Sequence, residues 1–212
     1  VSWARDVYKR QDDILGSLLL ILISIVTVVE IFTPYLVFII APGFAENDIK
    51  FNLAVELTRI TFPFLLFISL SSFFSGILNS NNKFAAAAAA PIILNIILIL
   101  SLIISYKLNL NIAKQLSYGV TFAGVLQLIF LFFITLKFYK PTLTLKIKAD
   151  SKVKFFFRKL LPSIFSSGVT QINILIGTII ASFEAGAVSY LYYADRIYQI
   201  NLAIAGIAVG TV

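Results

Sequence analysis

Four runs of this chain carry no charged residue, 60–82, 84–106, 115–136 and 160–183, and each is 22 to 24 residues long. A helix of about 20 predominantly apolar residues crosses a hydrocarbon core, so each run has the length of a membrane span. A fifth span is predicted over 14–42, where Glu30 is the single charge, and a sixth from Tyr190 to the end of the chain. Composition agrees: 59% of residues are apolar, against roughly 45–50% in a soluble domain. The predicted fold class is an all-α integral membrane protein, a polytopic bundle with six transmembrane helices in this chain.

The chain holds no cysteine and no histidine. That removes disulfides, thiol nucleophiles, the commonest metal ligand and the commonest general base. No cofactor and no metal site are expected. The sequence also lacks methionine and stops inside an apolar run, which predicts a fragment of a longer protein. Residues 1–13 are polar and unlike a signal peptide. They are expected to stand outside the fold, either as a native cytoplasmic stub or as an artefactual addition.

A net charge of +7 would suit nucleic acid in a soluble protein, but in a membrane chain the placement of Lys and Arg sets orientation. Lys137, Lys140, Lys146, Lys148, Lys152, Lys154, Arg158 and Lys159 surround one loop, whereas the first loop offers Glu46 and Asp48 against Lys50. The Lys-rich loop is therefore predicted to be cytoplasmic, and no nucleic-acid partner is expected. Alternation places 46–50, 107–114 and 184–189 outside and the turn at 79–83 inside. Residues 141–159 then read as an inter-lobe linker, dividing four spans in 14–140 from two in 160–212. Its basic and aromatic segment KVKFFFRKL either lies on the inner membrane surface, touching membrane lipids, or supplies ordinary positive-inside charge.

Charges at membrane depth are costly and call for partners or water. Glu30 in the first span and Arg59 in the second are within reach of each other across an antiparallel hairpin, so a buried ion pair is expected there. The alternative is that Arg59 pairs with Glu56, three residues earlier on the same helix. Asp195 and Arg196 lie a few residues into the sixth span. Pro34, Pro63 and Pro91 fall within spans and favour kinks, while Pro162 is expected at a helix start. The fifth span carries Gln171, Asn173, several hydroxyls and two glycines, so one face should meet protein or water.

Several motifs are familiar in their order. APGF begins at Ala41, LTRITFPFLLFISLSSFFSGILNSNNKFAAAAAAPIILN ends at Asn95, GVLQL occupies 124–128, and GAVSYLYYADRIYQ occupies 186–199. Together they resemble the MurJ (MviN) family of bacterial lipid II flippases. The resemblance implies a fourteen-helix, two-lobed transporter of the multidrug and oligosaccharidyl-lipid exporter superfamily, with this chain supplying helices three to eight. It implies a location in the bacterial inner membrane and a role in cell wall synthesis by alternating access. The substrate it implies is undecaprenyl-pyrophosphate-linked disaccharide-pentapeptide, held by arginines in a cationic cavity.

Of those arginines, only the one in YYADR falls in this chain, as Arg196. Gln199, Asp195, Asn173 and Gln171 are the candidate substrate-binding neighbours. Where some members have a glutamate one turn on, this chain has Gln199, so a carboxylate-linked role at that turn is not implied. Two alternatives stand beside a lipid II flippase. One is an exporter of another lipid-linked oligosaccharide or a drug. The other is an integral-membrane lipid-pyrophosphate enzyme, which would need a clustered acidic metal site; the chain's one carboxylate doublet is Asp12 and Asp13. A transporter rather than an enzyme is expected.

Overall fold

A computed structural model describes residues 2–142 and 151–210. Among them are seven α-helices and no strand: α1 (Ser2–Ile40), α2 (Asp48–Thr61), α3 (Phe64–Ser80), α4 (Phe84–Leu108), α5 (Ile112–Thr135), α6 (Ser151–Ala181) and α7 (Ala187–Gly210), with a 3-10 turn at Pro42–Glu46. Four stretches of the described residues are long and apolar enough to cross a membrane: Gln11–Ile40, Asp48–Ser80, Phe84–Leu108 and Ile112–Thr135. The protein is thus a multi-pass helical membrane protein. α6 and α7 stand where the fifth and sixth spans were predicted, although the apolar stretch described within α6 is the shorter Gln171–Ala181.

Turn chemistry fixes the helix ends. Asn82 and Asn109 adopt positive φ, 58° and 50°, a conformation that asparagine tolerates better than most residues. The Lys83 amide returns to the Leu78 carbonyl at 2.9 Å, closing α3. Asn111 opens α5 by accepting the Lys114 amide on its side chain at 3.1 Å, and Asn47 does the same for Lys50 ahead of α2 at 3.0 Å.

The prolines act unequally. In α1, Phe32 leaves helical geometry at φ −100°, ψ 18°, two residues before Pro34. Pro34 has no N–H for the Glu30 carbonyl, four residues back; the Thr33 hydroxyl donates to that oxygen instead, at 3.0 Å. Pro63 separates α2 from α3, and the Ile60 carbonyl at that break accepts the Thr121 hydroxyl from α5. α4 runs unbroken across Pro91. Pro162 corrects its expectation: it lies inside α6, because the helix begins at Ser151, within the segment read as linker.

The chain forms two compact units, each with its own packing. The first joins the chain up to Thr33 with Val55–Leu160; the second joins Pro34–Ala54 with the chain from Leu161 on. Within the second unit, the turn between α1 and α2 meets Ser182 and Phe183, just beyond the end of α6. The first unit is organised around α3, α4 and α5. Its core holds Leu15, Leu22, Leu70, Phe74, Ile77, Leu78 and Leu131, and Phe74 meets Phe132 edge to face at 5.5 Å.

Gly124, first residue of GVLQL, lets α5 approach α3: a Cβ there would fall 2.6 Å from Phe64 Cδ2 and 3.1 Å from Phe67 Cβ. Gly124→Val is therefore expected to destabilise by about 1–3 kcal/mol through overpacking. Gly76→Ala is the control, since no heavy atom lies within 4 Å of its added methyl. Comparing thermal unfolding of the two in detergent checks this, and equal midpoints would contradict it.

α1 begins at Ser2, so Asp12 and Asp13 lie within its first part. The Asp12 carboxylate accepts the Tyr139 hydroxyl and the Thr142 hydroxyl, and the Thr142 amide at 3.0 Å. Asp13 is buried. Lys83 sits over the Phe138 ring at 5.8 Å. Asp12 of α1 thus meets the exit of α5, which also meets the 79–83 turn through Lys83 and Phe138.

Candidate functional site

The candidate residues of the second unit lie on α6 and α7. Helical spacing places Tyr192, Asp195, Arg196 and Gln199 on adjoining turns, since residues three and four apart share a face. Gln199 links the charged pair: its amide nitrogen donates to Asp195 Oδ2 at 2.6 Å, and its carbonyl oxygen accepts from Arg196 Nη1 at 3.2 Å. Asp195 and Arg196 are neighbours in sequence and point apart, so glutamine carries the connection. The Arg196 guanidinium lies 4.9 Å from the centre of the Tyr192 ring, a cation–π placement.

A cleft of about 450 Å³ opens beside this group, lined by Asn173, Thr178, Leu191, Tyr192 and Asp195 among others. The structure therefore brings Asn173 and Asp195 to one cleft and joins Asp195, Gln199 and Arg196 in one chain of hydrogen bonds. Gln171 is exposed and does not line it. Sequence reasoning missed Tyr192 and Thr178. The signal for Tyr192 was its spacing, four residues before Arg196; Thr178 is one of the several hydroxyls of the polar fifth span.

Arg196 itself is exposed, and its one hydrogen bond among the described residues is to Gln199. A guanidinium carries five N–H donors in a planar fork, so donors remain for an anion with paired oxygens. Arg196 stands nine residues into α7, or about 14 Å along the helix axis. Among the described residues no group of three or more His, Cys, Asp or Glu could hold a metal ion.

The membrane charges of the first unit are arranged differently from expectation. Glu56 pairs with Lys114 Nζ at 2.6 Å, both side chains being roughly half exposed, and so is not part of a buried pair with Arg59. The Asn111 cap sets Lys114 in the first turn of α5, which brings its amine to α2. Arg59 is exposed. No ion pair within 4.0 Å joins it to Glu30 among the described residues, and Glu30 Oε1 is buried without a hydrogen-bond partner. A double-mutant cycle of Glu30→Gln with Arg59→Leu is accordingly expected to give a coupling below about 1 kcal/mol. A coupling of several kcal/mol in unfolding measurements would mean that the pair closes.

The fold and the cleft define a polytopic helical membrane protein with an arginine-centred polar group in its second unit, and comparison with known proteins narrows this further. The sequence model of the family described as "Lipid II flippase MurJ" matches residues 11–212, and the chain belongs to that family. "Probable lipid II flippase MurJ" of Rhizobium tropici is 41% identical over 213 residues, covering 98% of this chain and 40% of that protein. Its counterpart in Rickettsia prowazekii (strain Madrid E) is 42% identical over 194 residues, covering 91% of this chain and 38% of that protein. A solved structure titled "Lipid II flippase MurJ, inward closed conformation" superposes with a TM-score of 0.77 at 25% identity, over 92% of this chain and 40% of that one. The chain thus spans about 40% of the length of the curated relatives it matches.

Proposed function

We propose that this chain forms part of a flippase that translocates lipid II, the undecaprenyl-pyrophosphate-linked disaccharide-pentapeptide, across the bacterial inner membrane for cell wall synthesis. In this reading it is the middle portion of a fourteen-helix, two-lobed transporter working by alternating access, and it moves its substrate without chemical change. The observation that carries the reading is the oriented guanidinium of Arg196 beside a cleft lined by Asn173 and Asp195, in a chain of this family.

A pyrophosphate entering a low-dielectric cavity needs a fixed cation, and arginine suits it because it stays charged and donates two parallel N–H bonds to paired oxygens. Asp195 acts through Gln199: holding the amide nitrogen turns the amide oxygen toward Nη1, which narrows the rotamers open to Arg196 before substrate arrives. Tyr192 supports the guanidinium plane from one side. Membrane lipids surround the apolar faces of α1 to α5.

The test is translocation of lipid II into proteoliposomes by the full-length protein, read as protection of the sugar–peptide headgroup from an external enzyme. Translocation of lipid II but not of a neutral isoprenoid alcohol supports the reading. Equal handling of both, or of neither, overturns it.

A further inference from the structure

The second unit contains a contact that the lipid-binding group does not use. The turn APGF between α1 and α2 packs against the residues just beyond α6: the Gly43 amide donates to Ser182 Oγ at 3.0 Å across 139 residues of sequence. Ser182 is 1% exposed, and its hydroxyl donates in turn to the Ile179 carbonyl at 2.7 Å. Its proton is thereby committed to α6 and its lone pair is left for Gly43. The fit admits no side chain at position 43, where a Cβ would fall 2.5 Å from the Phe183 amide nitrogen and from the Ser182 carbonyl carbon. Ala41 and Val37, on the same hairpin tip, are buried as well.

The helix leading to that tip is weakened where it changes units. The chain passes from the first unit to the second between Thr33 and Pro34, next to the non-helical Phe32. Two residues that absorb a change in backbone direction thus lie directly before the docked segment, and kinks at proline are common hinge points. A tip held by one buried backbone contact at its end and a pliant joint at its base is built to dock and release.

We propose that Gly43 and Ser182 form a latch that holds the tip of the α1 and α2 hairpin on the outer end of α6, and that the tip swings about Phe32 and Pro34 when the outer side of the transporter opens. This rests on the flippase reading for its purpose, but its test reads accessibility and not transport.

In intact cells carrying the full-length protein, Ala41→Cys serves as reporter for an impermeant thiol reagent added outside. Labelling is expected to be slow in the otherwise unchanged protein. It should quicken by roughly 2–10-fold with Ser182→Ala, which removes one hydrogen-bond acceptor, and by roughly tenfold or more with Gly43→Ala, which the docked geometry cannot accommodate. Ser182→Ala adds no bulk, so it decides the matter even where Gly43→Ala lowers abundance. Fast labelling of the parent reporter, or one rate in all three proteins, overturns the latch while leaving lipid II translocation as its own question. Pro34→Ala, which restores a helical hydrogen bond at the joint, should slow the labelling of the Ser182→Ala protein; an unchanged rate would remove the hinge.

Discussion

Arg196→Ala in the full-length protein, at matched membrane abundance, is expected to lose nearly all lipid II translocation. Truncating one partner of a desolvated charge contact costs roughly 2–5 kcal/mol, a loss of roughly 30-fold or more. Arg196→Lys should retain part of the activity, because the ammonium keeps the charge but gives up the planar pair of donors. Gln199→Leu separates position from charge: it leaves the guanidinium intact and removes the bridge between Asp195 Oδ2 and Arg196 Nη1. Its effect should fall between those of lysine and alanine. The competing role for Arg196 is to anchor α7 by reaching toward headgroups with its long stem. An anchor would reveal itself through lowered insertion with normal transport per inserted molecule, and that outcome for Arg196→Ala would remove the residue from substrate binding.

How much of this was legible in the sequence follows from the range of each interaction. The gaps between charges located α1, α3, α4 and α5 because hydrocarbon tolerates neither charge nor unpaired backbone, a constraint each helix meets alone; α2, which carries Asp48, Lys50, Glu56 and Arg59, starts well before the charge-free run at 60–82. The kink near Pro34 and the break at Pro63 were legible for the same reason: a missing N–H is a local fact. Within α7, the resemblance singled out Arg196 and Gln199, and their spacing of three residues on one helix puts them on adjoining turns.

What the sequence concealed was long-range. Glu56 had a local candidate in Arg59, yet the α4 to α5 turn delivers Lys114 to it. APGF read as a family signature, and its partner Ser182 lies 139 residues away. The start of α6 was obscured by Pro162, which marks a helix start in most sequences but here sits within a helix that had already begun. The acidic doublet near the N-terminus reads as part of a polar stub, and its partners Tyr139 and Thr142 lie 127 and 130 residues from Asp12.

That doublet supplies the second large effect. Asp12→Ala is expected to destabilise the first unit by about 2–3 kcal/mol, since three donors lose one charged acceptor and hydrogen bonds to charged groups are worth about 1.5–3 kcal/mol each where buried. The Tyr139 hydroxyl matters most, because Tyr139 is 2% exposed and keeps no water to replace the carboxylate, whereas Thr142 is exposed and does. Asp12→Asn retains an acceptor oxygen and should cost less. Tyr139→Phe removes donor and need together, for about 1 kcal/mol. Thermal unfolding in detergent should therefore rank the parent first, then Tyr139→Phe and Asp12→Asn, then Asp12→Ala.

The same contact has a pH signature. Burial, then the hydrogen bond to Asp12, then the carboxylate's negative charge all favour the neutral phenol, so Tyr139 is pushed well above the ordinary tyrosine value of 10.0. A group whose folded pKa is raised contributes stability that is whole below the unfolded pKa and is lost as pH rises through the folded one. Tyr139 should therefore stay protonated at about pH 11, where an ordinary tyrosine is mostly ionised. The tyrosinate absorbance of the parent minus that of Tyr139→Phe should be near zero at that pH. In an Asp12→Ala background two of the three causes are gone, and the same subtraction should then show ionisation at lower pH. A full tyrosinate signal from Tyr139 in the parent would mean that the α1 and α5 ends are not joined through Asp12.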